Sequence, residues 1–374
     1  MNALPQELTA CLQSHPCQAP EVVARSFREF GPHFAQTDAP LLGELSAVAL
    51  QDEVALALAS LAQPGHPICP LLLSAVHFLM LREPGHPFAA WFASISPAPR
   101  PVAEAGAPFK AFCRERWRDI AELVRTHTIQ TTSVHRAATL LPGLARIHAC
   151  DPRPLSIVEV GCGPGLNLIF DRYAYEYVGA DGSVDRVGPA GSTVLLRTQM
   201  IGRRFIPPAT LPPVGARVGV DLNPIDPRDR AQRDWIIACV RPEYTETLNA
   251  IRAGFDMLER DPVRTIRGDA SIELRGLLDT LPDPICVVHS NTMYQWPQAA
   301  REAVDALLRE RSAGRDIHML GIEPLFEMPP ELAARPRPTA MMASEVDYVL
   351  YRAGSSERTV TAWCEGFSRW LDLK

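Results

Sequence analysis

Residues 155–168 read LSIVEVGCGPGLNL, a short apolar run with β-branched residues that ends in three glycines at alternate positions, Gly161, Gly163 and Gly165. Such a run predicts a strand buried on both faces of a parallel sheet, and the glycines predict a tight turn from that strand into a helix. Glycines there permit positive φ and let a ligand approach the backbone closely, while the following helix points its first amides at that ligand. The turn has the character of a nucleotide-binding loop. A dinucleotide fingerprint, G-x-G-x-x-G, would need glycine where the chain has Leu166, and the Gly-Lys-Ser/Thr ending of a phosphate loop is absent.

Working outward from this loop, four further strands are expected at 216–222 (ARVGVDL), 263–269 (VRTIRGD), 284–290 (PICVVHS) and 317–323 (IHMLGIE). Helical stretches lie between them, RDWIIACV with TETLNAIRAGFDMLER and then QAAREAVDALLRERS. Alternation of strand and helix predicts a parallel α/β sheet. The chain closes with VDYVLYRAG and RTVTAWCEG within 346–366, which reads as an antiparallel hairpin added to that sheet. Upstream, apolar residues recur at threes and fours in EVVARSFREF, LLGELSAVALQDEVALALASL, PLLLSAVHFLML and FKAFCRERWRDIAELVRTH, with a further helix expected over 130–147. Two domains follow from this pattern: an all-helical N-terminal one over 1–150, a lid or substrate domain, and a Rossmann-like one over 151–374. The loop 94–109 and the proline-rich stretches 205–215 and 328–339 read as connectors or surface insertions.

The 374 residues carry 37 Lys+Arg against 43 Asp+Glu and are 47% apolar, enough for about two domains at roughly 150 residues each. No apolar run reaches the roughly 18 residues of a membrane span. The opening MNALPQELTACLQSHPC shows no secretory signal, and the nine scattered cysteines form no C-x-x-C, so reduced thiols in a cytoplasm are expected, with no metal site. An acidic balance without a Lys/Arg block argues against nucleic acid as a partner. The partner expected is a small molecule, and the sequence leaves a homodimer open.

With its context, the E-x-G-x-G-x-G of Glu159, Gly161, Gly163 and Gly165 resembles the first motif of the class I S-adenosylmethionine-dependent methyltransferases. That resemblance implies S-adenosylmethionine as cofactor, bound by the glycine loop with Glu159 and Asn167. It also implies a ribose acid ending the second strand, an acid near the adenine ending the third, and residues facing the reacting atoms at the end of the fourth. Asp221, Asp269, and His289 with Ser290 stand at those places. Asp181, at nearly the standard distance from the loop, is the alternative ribose acid. Asp221 is favoured because a clear strand precedes it, which requires 173–198 to loop out as an insertion. As catalytic residues the resemblance suggests His289 as a base or hydrogen-bonding group, Tyr294 as a pocket wall, and Tyr175 stacking near the sulfonium. Gln130, His135 and Arg136 are candidates to cap the pocket.

A narrower resemblance spans most of the chain. GLNLIFDRYAY, RVGVDLNPIDPRD, RDWIIACVRPEY, GDA, VVHSNTMYQW and QTTSVHR are similar to segments of a bacterial family of uncharacterised proteins with an EVG-x-x-x-GLNL core followed by DRY. Where that family continues its QT segment with Asn and Glu, this chain has Thr132 and Ser133. The resemblances imply a transferase in small-molecule biosynthesis, first of all one moving a methyl group to an N or O acceptor. The runner-up is attack by the cofactor's own amino group, closing azetidine-2-carboxylate and releasing methylthioadenosine. A third reading is a binding module without turnover.

Overall fold

The computed structural model describes residues 4–339 and 341–374, so the first three residues of the expected helical domain lie outside the described ones. The chain divides into two compact units, Met1–Thr132 with Arg230–Asn249, and Ser133–Asp229 with Ala250–Lys374.

The first unit is helical: α1 (Gln6–Ser14), α2 (Pro20–Gln36), α3 (Pro40–Ala49), α4 (Glu53–Ser60), α5 (Ile68–Arg82), α6 (Gly106–Glu115) and α7 (Trp117–Thr126). At the centre is α5, the PLLLSAVHFLML segment, buried over most of its circumference. A helix apolar all round belongs in a core. The apolar periodicity over 41–61 conceals a break: Asp52 stops the run and caps α4, accepting from the amides of Val54 and Ala55 at 3.1 and 3.0 Å. A second break, at Arg116, separates α6 from α7.

The second unit begins at 133, not 151. Its first helix, α8 (Arg136–Cys150), lies against the sheet, with the Tyr177 hydroxyl donating to the Ala138 carbonyl at 2.7 Å and Gly143 seated on Leu320. In exchange, α9 (Arg230–Ala238) belongs to the first unit, because Trp235 and Ala238 complete its core and the Trp235 indole donates to the Thr128 carbonyl at 2.8 Å. The linear boundary at 150/151 fails because core membership, not sequence order, sets the units. The chain re-enters the second unit within α10 (Thr245–Arg260).

The sheet has eleven strands: β1 (Leu155–Val160), β2 (Ala174–Val178), β3 (Val184–Val187), β4 (Leu195–Met200), β5 (Val214–Asp221), β6 (Arg264–Arg267), β7 (Ile285–Ser290), β8 (Ile317–Pro324), β9 (Ala343–Arg352), β10 (Ser355–Glu365) and β11 (Trp370–Leu373). Parallel pairing runs β6-β5-β1-β7-β8, the third, second, first, fourth and fifth strands of a Rossmann-like sheet. Strand order reverses between β1 and β7, whose side chains are buried throughout. In such sheets the ligand crevice lies outside the C-terminal ends at this switch point. Helices α11 (Ala270–Thr280) and α12 (Gln298–Arg311) pack Leu274, Leu277, Val304 and Leu308 on one face, together with Val158, Val160 and Val287. A short α13 (Pro330–Ala333) forms in the second proline-rich stretch.

The terminal hairpin joins β8 through β9, turning at Ala353 and Gly354, both at positive φ. Residues 173–200 do not loop out. They fold as β2, β3 and β4 and extend the sheet beyond β11. Tyr175 and Tyr177, stacked at 6.4 Å and buried, supply the apolar face that makes this a sheet extension.

Candidate functional site

The loop leaving β1 places Gly161, Gly163 and Gly165 at φ +70°, +52° and +83°, where side chains are strained. A Cβ at Gly161 would collide with Thr292, whereas at Gly163 nothing lies within 4 Å. The first glycine serves close packing; the second faces open space. Asp221 turns under the loop from the end of β5, its Oδ2 accepting from the Gly163 amide at 2.8 Å and its Oδ1 from the Asn223 amide at 2.7 Å. The expected α-helix after the loop is instead a 3-10 segment, Leu166–Arg172, kinked at Ile169. Its fixings are lateral: Asp171 receives both Arg217 Nη atoms at 2.7 and 2.8 Å, and Arg172 reaches Asp261 at 2.5 Å. Asp171 and Arg172 therefore do not pair with each other.

Beside the loop stands a group of buried polar atoms with little to bond. Glu159 Oε1 accepts from Asn167 Nδ2 at 2.7 Å, but Glu159 Oε2 and Asn167 Oδ1 have no partner, nor do Ser290 Oγ, Asn291 Oδ1 and Arg136 Nε. Burial pushes the Glu159 carboxyl up to about 8; Asn167 and Arg136 pull it down and Asp221 raises it further. Burial likewise lowers the Arg136 guanidinium, against the opposing influence of Glu159, Cys364, Glu323 and Tyr294. Native interiors satisfy nearly all such groups. Here several are left over at the switch point of the sheet, where a ligand would complete them. Sequence reasoning named Arg136 only as a cap; its signal was a lone cation in the apolar run VHRAATLL.

The three proposed catalytic residues separate. In register, Val160, His289 and Gly321 lie side by side, as do Glu159, Val288 and Leu320 one residue earlier. Successive side chains leave opposite faces, so His289 points to the side opposite Glu159. Its imidazole fills the room over Gly321, and its Nδ1 donates to Glu323 Oε1 at 2.7 Å. Glu323 also accepts from the Met293 and Thr292 amides at 2.9 and 3.2 Å. Burial pushes the Glu323 carboxyl up, but His289 and these amides outweigh it and hold the group below its ordinary value. His289 thus secures the turn after β7. Tyr175 is sealed in the core, its hydroxyl donating to the Phe170 carbonyl at 2.6 Å and pushed well above its usual range by burial. That rules out stacking in an open pocket. Tyr294 is exposed, its ring 6.0 Å from Phe326, and within electrostatic reach of Arg136.

Asp269 caps α11, accepting from the Ser271 amide and hydroxyl at 2.9 and 2.7 Å. Asp181 occupies the turn between β2 and β3 and accepts from the Ser183 amide at 2.9 Å. Following the pairings from β1 across to β2, the two strands run in opposite directions, so this turn lies at the end of the sheet away from the glycine loop.

At that other end, a cleft of about 470 Å³ is lined by charged residues around Arg146, His318 and Tyr348. Arg153 pairs with Asp151 at 2.5 Å, Arg315 with Asp283 at 2.9 Å, and Arg352 with Asp316. Among the described residues no group of three His, Cys, Asp or Glu could hold a metal ion, and no helix is long and apolar enough to cross a membrane.

Among solved structures, the chain is 14% identical to the SAM-bound CalS10, an amino pentose methyltransferase of Micromonospora echinaspora involved in calicheamicin biosynthesis, over 61% of this chain and 74% of that one, with a TM-score of 0.22. It is 11% identical to DesVI of Streptomyces venezuelae over 61% and 75% of the two chains, with a TM-score of 0.21. At such scores these likenesses carry no argument, and the fold rests on the strand order. No curated protein matches. Residues 24–373 match the family described as uncharacterised protein conserved in bacteria (DUF2332), and the chain belongs to that family.

Proposed function

We propose that the chain binds S-adenosylmethionine in the crevice at the ends of β1 and β7 and transfers its methyl group to a nitrogen or oxygen of a small molecule. The observation that carries this is the open side of Gly163 above Asp221, at the switch point of a Rossmann-like sheet. The cofactor supplies an electrophilic methyl group on a sulfonium. The chain's own part is to bind, align and exclude water. Gly163 leaves room for the nucleoside, Asp221 keeps acceptor capacity for ribose hydroxyls while holding the loop, and Asn167 fixes Glu159. Of the three tyrosine and histidine candidates, Tyr294 alone combines exposure with a place near Arg136; burial and Glu323 raise its phenol, so it is the one to test as a pocket wall and hydrogen-bond donor.

The test is to incubate the full chain with S-adenosylmethionine alone, then with pooled amine and hydroxyl acceptors, and identify the nucleoside by mass spectrometry. S-adenosylhomocysteine formed only with an acceptor is the expected result. Methylthioadenosine without an acceptor would move the reaction to intramolecular displacement and azetidine-2-carboxylate. Bound but unconsumed cofactor under every condition would leave a binding module. No binding would overturn the proposal.

A further inference from the structure

Arg136 is the first residue of α8, where the positive end of the helix dipole disfavours a cation. Burying a guanidinium is costly as well unless an anion meets it. Yet Arg136 is only 5% exposed, its Nε is sealed from solvent, and it makes no hydrogen bond or ion pair with any described residue. Helix end and guanidinium call for the same thing, a negative charge. The acids nearby do not supply it. Glu323 is engaged by His289 and by the Met293 and Thr292 amides. Glu159 is tied to Asn167, and burial pushes its carboxyl up to about 8, so it is largely neutral at pH 7.

Placement separates this cation from the nucleoside end of the crevice. The groups within its electrostatic reach are Glu159 at the end of β1, Cys364 on β10, Glu323 on β8 and Tyr294 just after β7. Three of these four stand at β7 or beyond it, whereas Gly163 and Asp221 stand on the β1–β5 side. On the β7–β8 side the surface turns apolar. Tyr294 is 43% and Phe326 77% exposed, with their rings 6.0 Å apart, and Met328 is exposed two residues further on. Large apolar side chains left bare together at the rim of a crevice have the character of a binding surface.

We infer that the acceptor is a small organic acid with an apolar body, its carboxylate against Arg136 and its body against Tyr294 and Phe326. One carboxylate balances one buried guanidinium and leaves no net charge behind. A doubly charged phosphate would add surplus negative charge beside Glu323, which His289 and two amides already hold as an anion. The acid is thus an anchor, and the nitrogen or oxygen to be methylated is a separate group on the body. That this molecule is the acceptor rests on the proposed function; that the site takes an organic anion does not.

The test is titration calorimetry on the full chain with aryl alkanoates of graded length, from phenylacetate to 4-phenylbutanoate, each beside its primary amide and the corresponding amine. S-adenosylhomocysteine is titrated separately, and the acids are measured with and without it. At the best-fitting length the acid should bind about tenfold to a hundredfold more tightly than its amide, as a charge-assisted hydrogen bond gives, and the amine should bind weakest. Arg136→Gln should remove the acid's advantage and leave the amide unchanged. Phe326→Ala should weaken acid and amide alike, by about tenfold, and leave S-adenosylhomocysteine unchanged. Equal binding of acid and amide by the unaltered chain overturns the inference whether or not a variant folds, and so does failure of every acid to bind. S-adenosylhomocysteine bound under those conditions would leave the proposed function in place. A loss of nucleoside affinity in Arg136→Gln, with the preference for the acid intact, would assign the cation to the nucleoside and overturn the inference as well. Preference for the acid without any binding of S-adenosylhomocysteine would sink the methyl-transfer reading and leave the organic-anion site standing.

Discussion

The two ends of the parallel sheet handle charge in opposite ways. Around the cleft at the N-terminal ends, arginines meet aspartates: Arg153 with Asp151, Arg315 with Asp283, Arg352 with Asp316. At the C-terminal ends Arg136 and Glu159 are more deeply buried and still unpaired. Solvated pairs contribute little to stability, and an incompletely satisfied buried group subtracts from it. The end whose charges are ion-paired is therefore the one less in need of a ligand. The cleft points one way and the chemistry the other. The chemistry decides, because an unmet buried group is an energetic deficit that only a partner removes.

The largest break in this contrast should come from Gly163→Val. Its side chain would enter the open space over the loop, and its φ of +52° adds strain. Affinity for S-adenosylhomocysteine should fall at least a hundredfold by calorimetry while the circular dichroism spectrum stays native. Unchanged affinity would remove the glycine loop from the site. Next in size, Asp221→Ala should weaken the same ligand by about tenfold or more, through loss of a carboxylate hydrogen bond and of the tie to the Gly163 amide. Asp181→Ala, in a turn at the other end of the sheet, should leave affinity within twofold. The reverse ranking would reassign the ribose acid.

His289→Asn tests the face assignment. Losing the Nδ1–Glu323 bond and the packing over Gly321 should lower Tm by several degrees. Affinity for the nucleoside should hold; a collapse in turnover with unchanged Tm would return His289 to the chemistry. Smaller again is a pH effect. With the Glu159 carboxyl pushed up to about 8 from an ordinary 4.5, both folded and unfolded chains are protonated below pH 4.5 and pay nothing. As pH rises toward 8 the unfolded chain ionises more readily, so this residue subtracts stability until the folded group ionises too. Urea midpoints of the ligand-free chain should therefore fall less with pH in Glu159→Gln than in the unaltered chain.

Much of this was legible in the residues. The strands β1, β7 and β8 are apolar runs buried over most of their length and the hairpin β9–β10 closes in a tight turn, signals carried by the residues themselves. Less legible were β2, β3 and β4, because YAYEYV and VDRV are short, polar on one side and stabilised by a distant partner, β11. Parity along a strand was also hidden. Nothing in VVHSN says that His289 shares a face with Val160 and not Glu159; that depends on the neighbours' register. Arg136 was undervalued for the same reason, since the distance from α8 to the glycine loop is set by packing across the sheet. The glycine loop was readable in advance because its requirement, positive φ next to a strand end, is local.

The smallest effect belongs to the opposite end of the sheet. Arg352→Gln removes one side of a pair between the last residue of β9 and Asp316, the residue just before β8. Both groups are well solvated, so the interaction is a screened one. At about 1 M salt the Debye length is only about 3 Å, and the unaltered chain should then lose the same small increment that the variant lacks. The expected outcome is a slight fall in Tm at low salt, no difference at high salt, and unchanged affinity for S-adenosylhomocysteine in both. A large, salt-resistant loss of ligand affinity would place binding at the cleft and reverse the comparison. A null result sharpens it: charges that already hold one another can be removed at little cost, whereas those at the glycine loop remain a deficit until a ligand meets them.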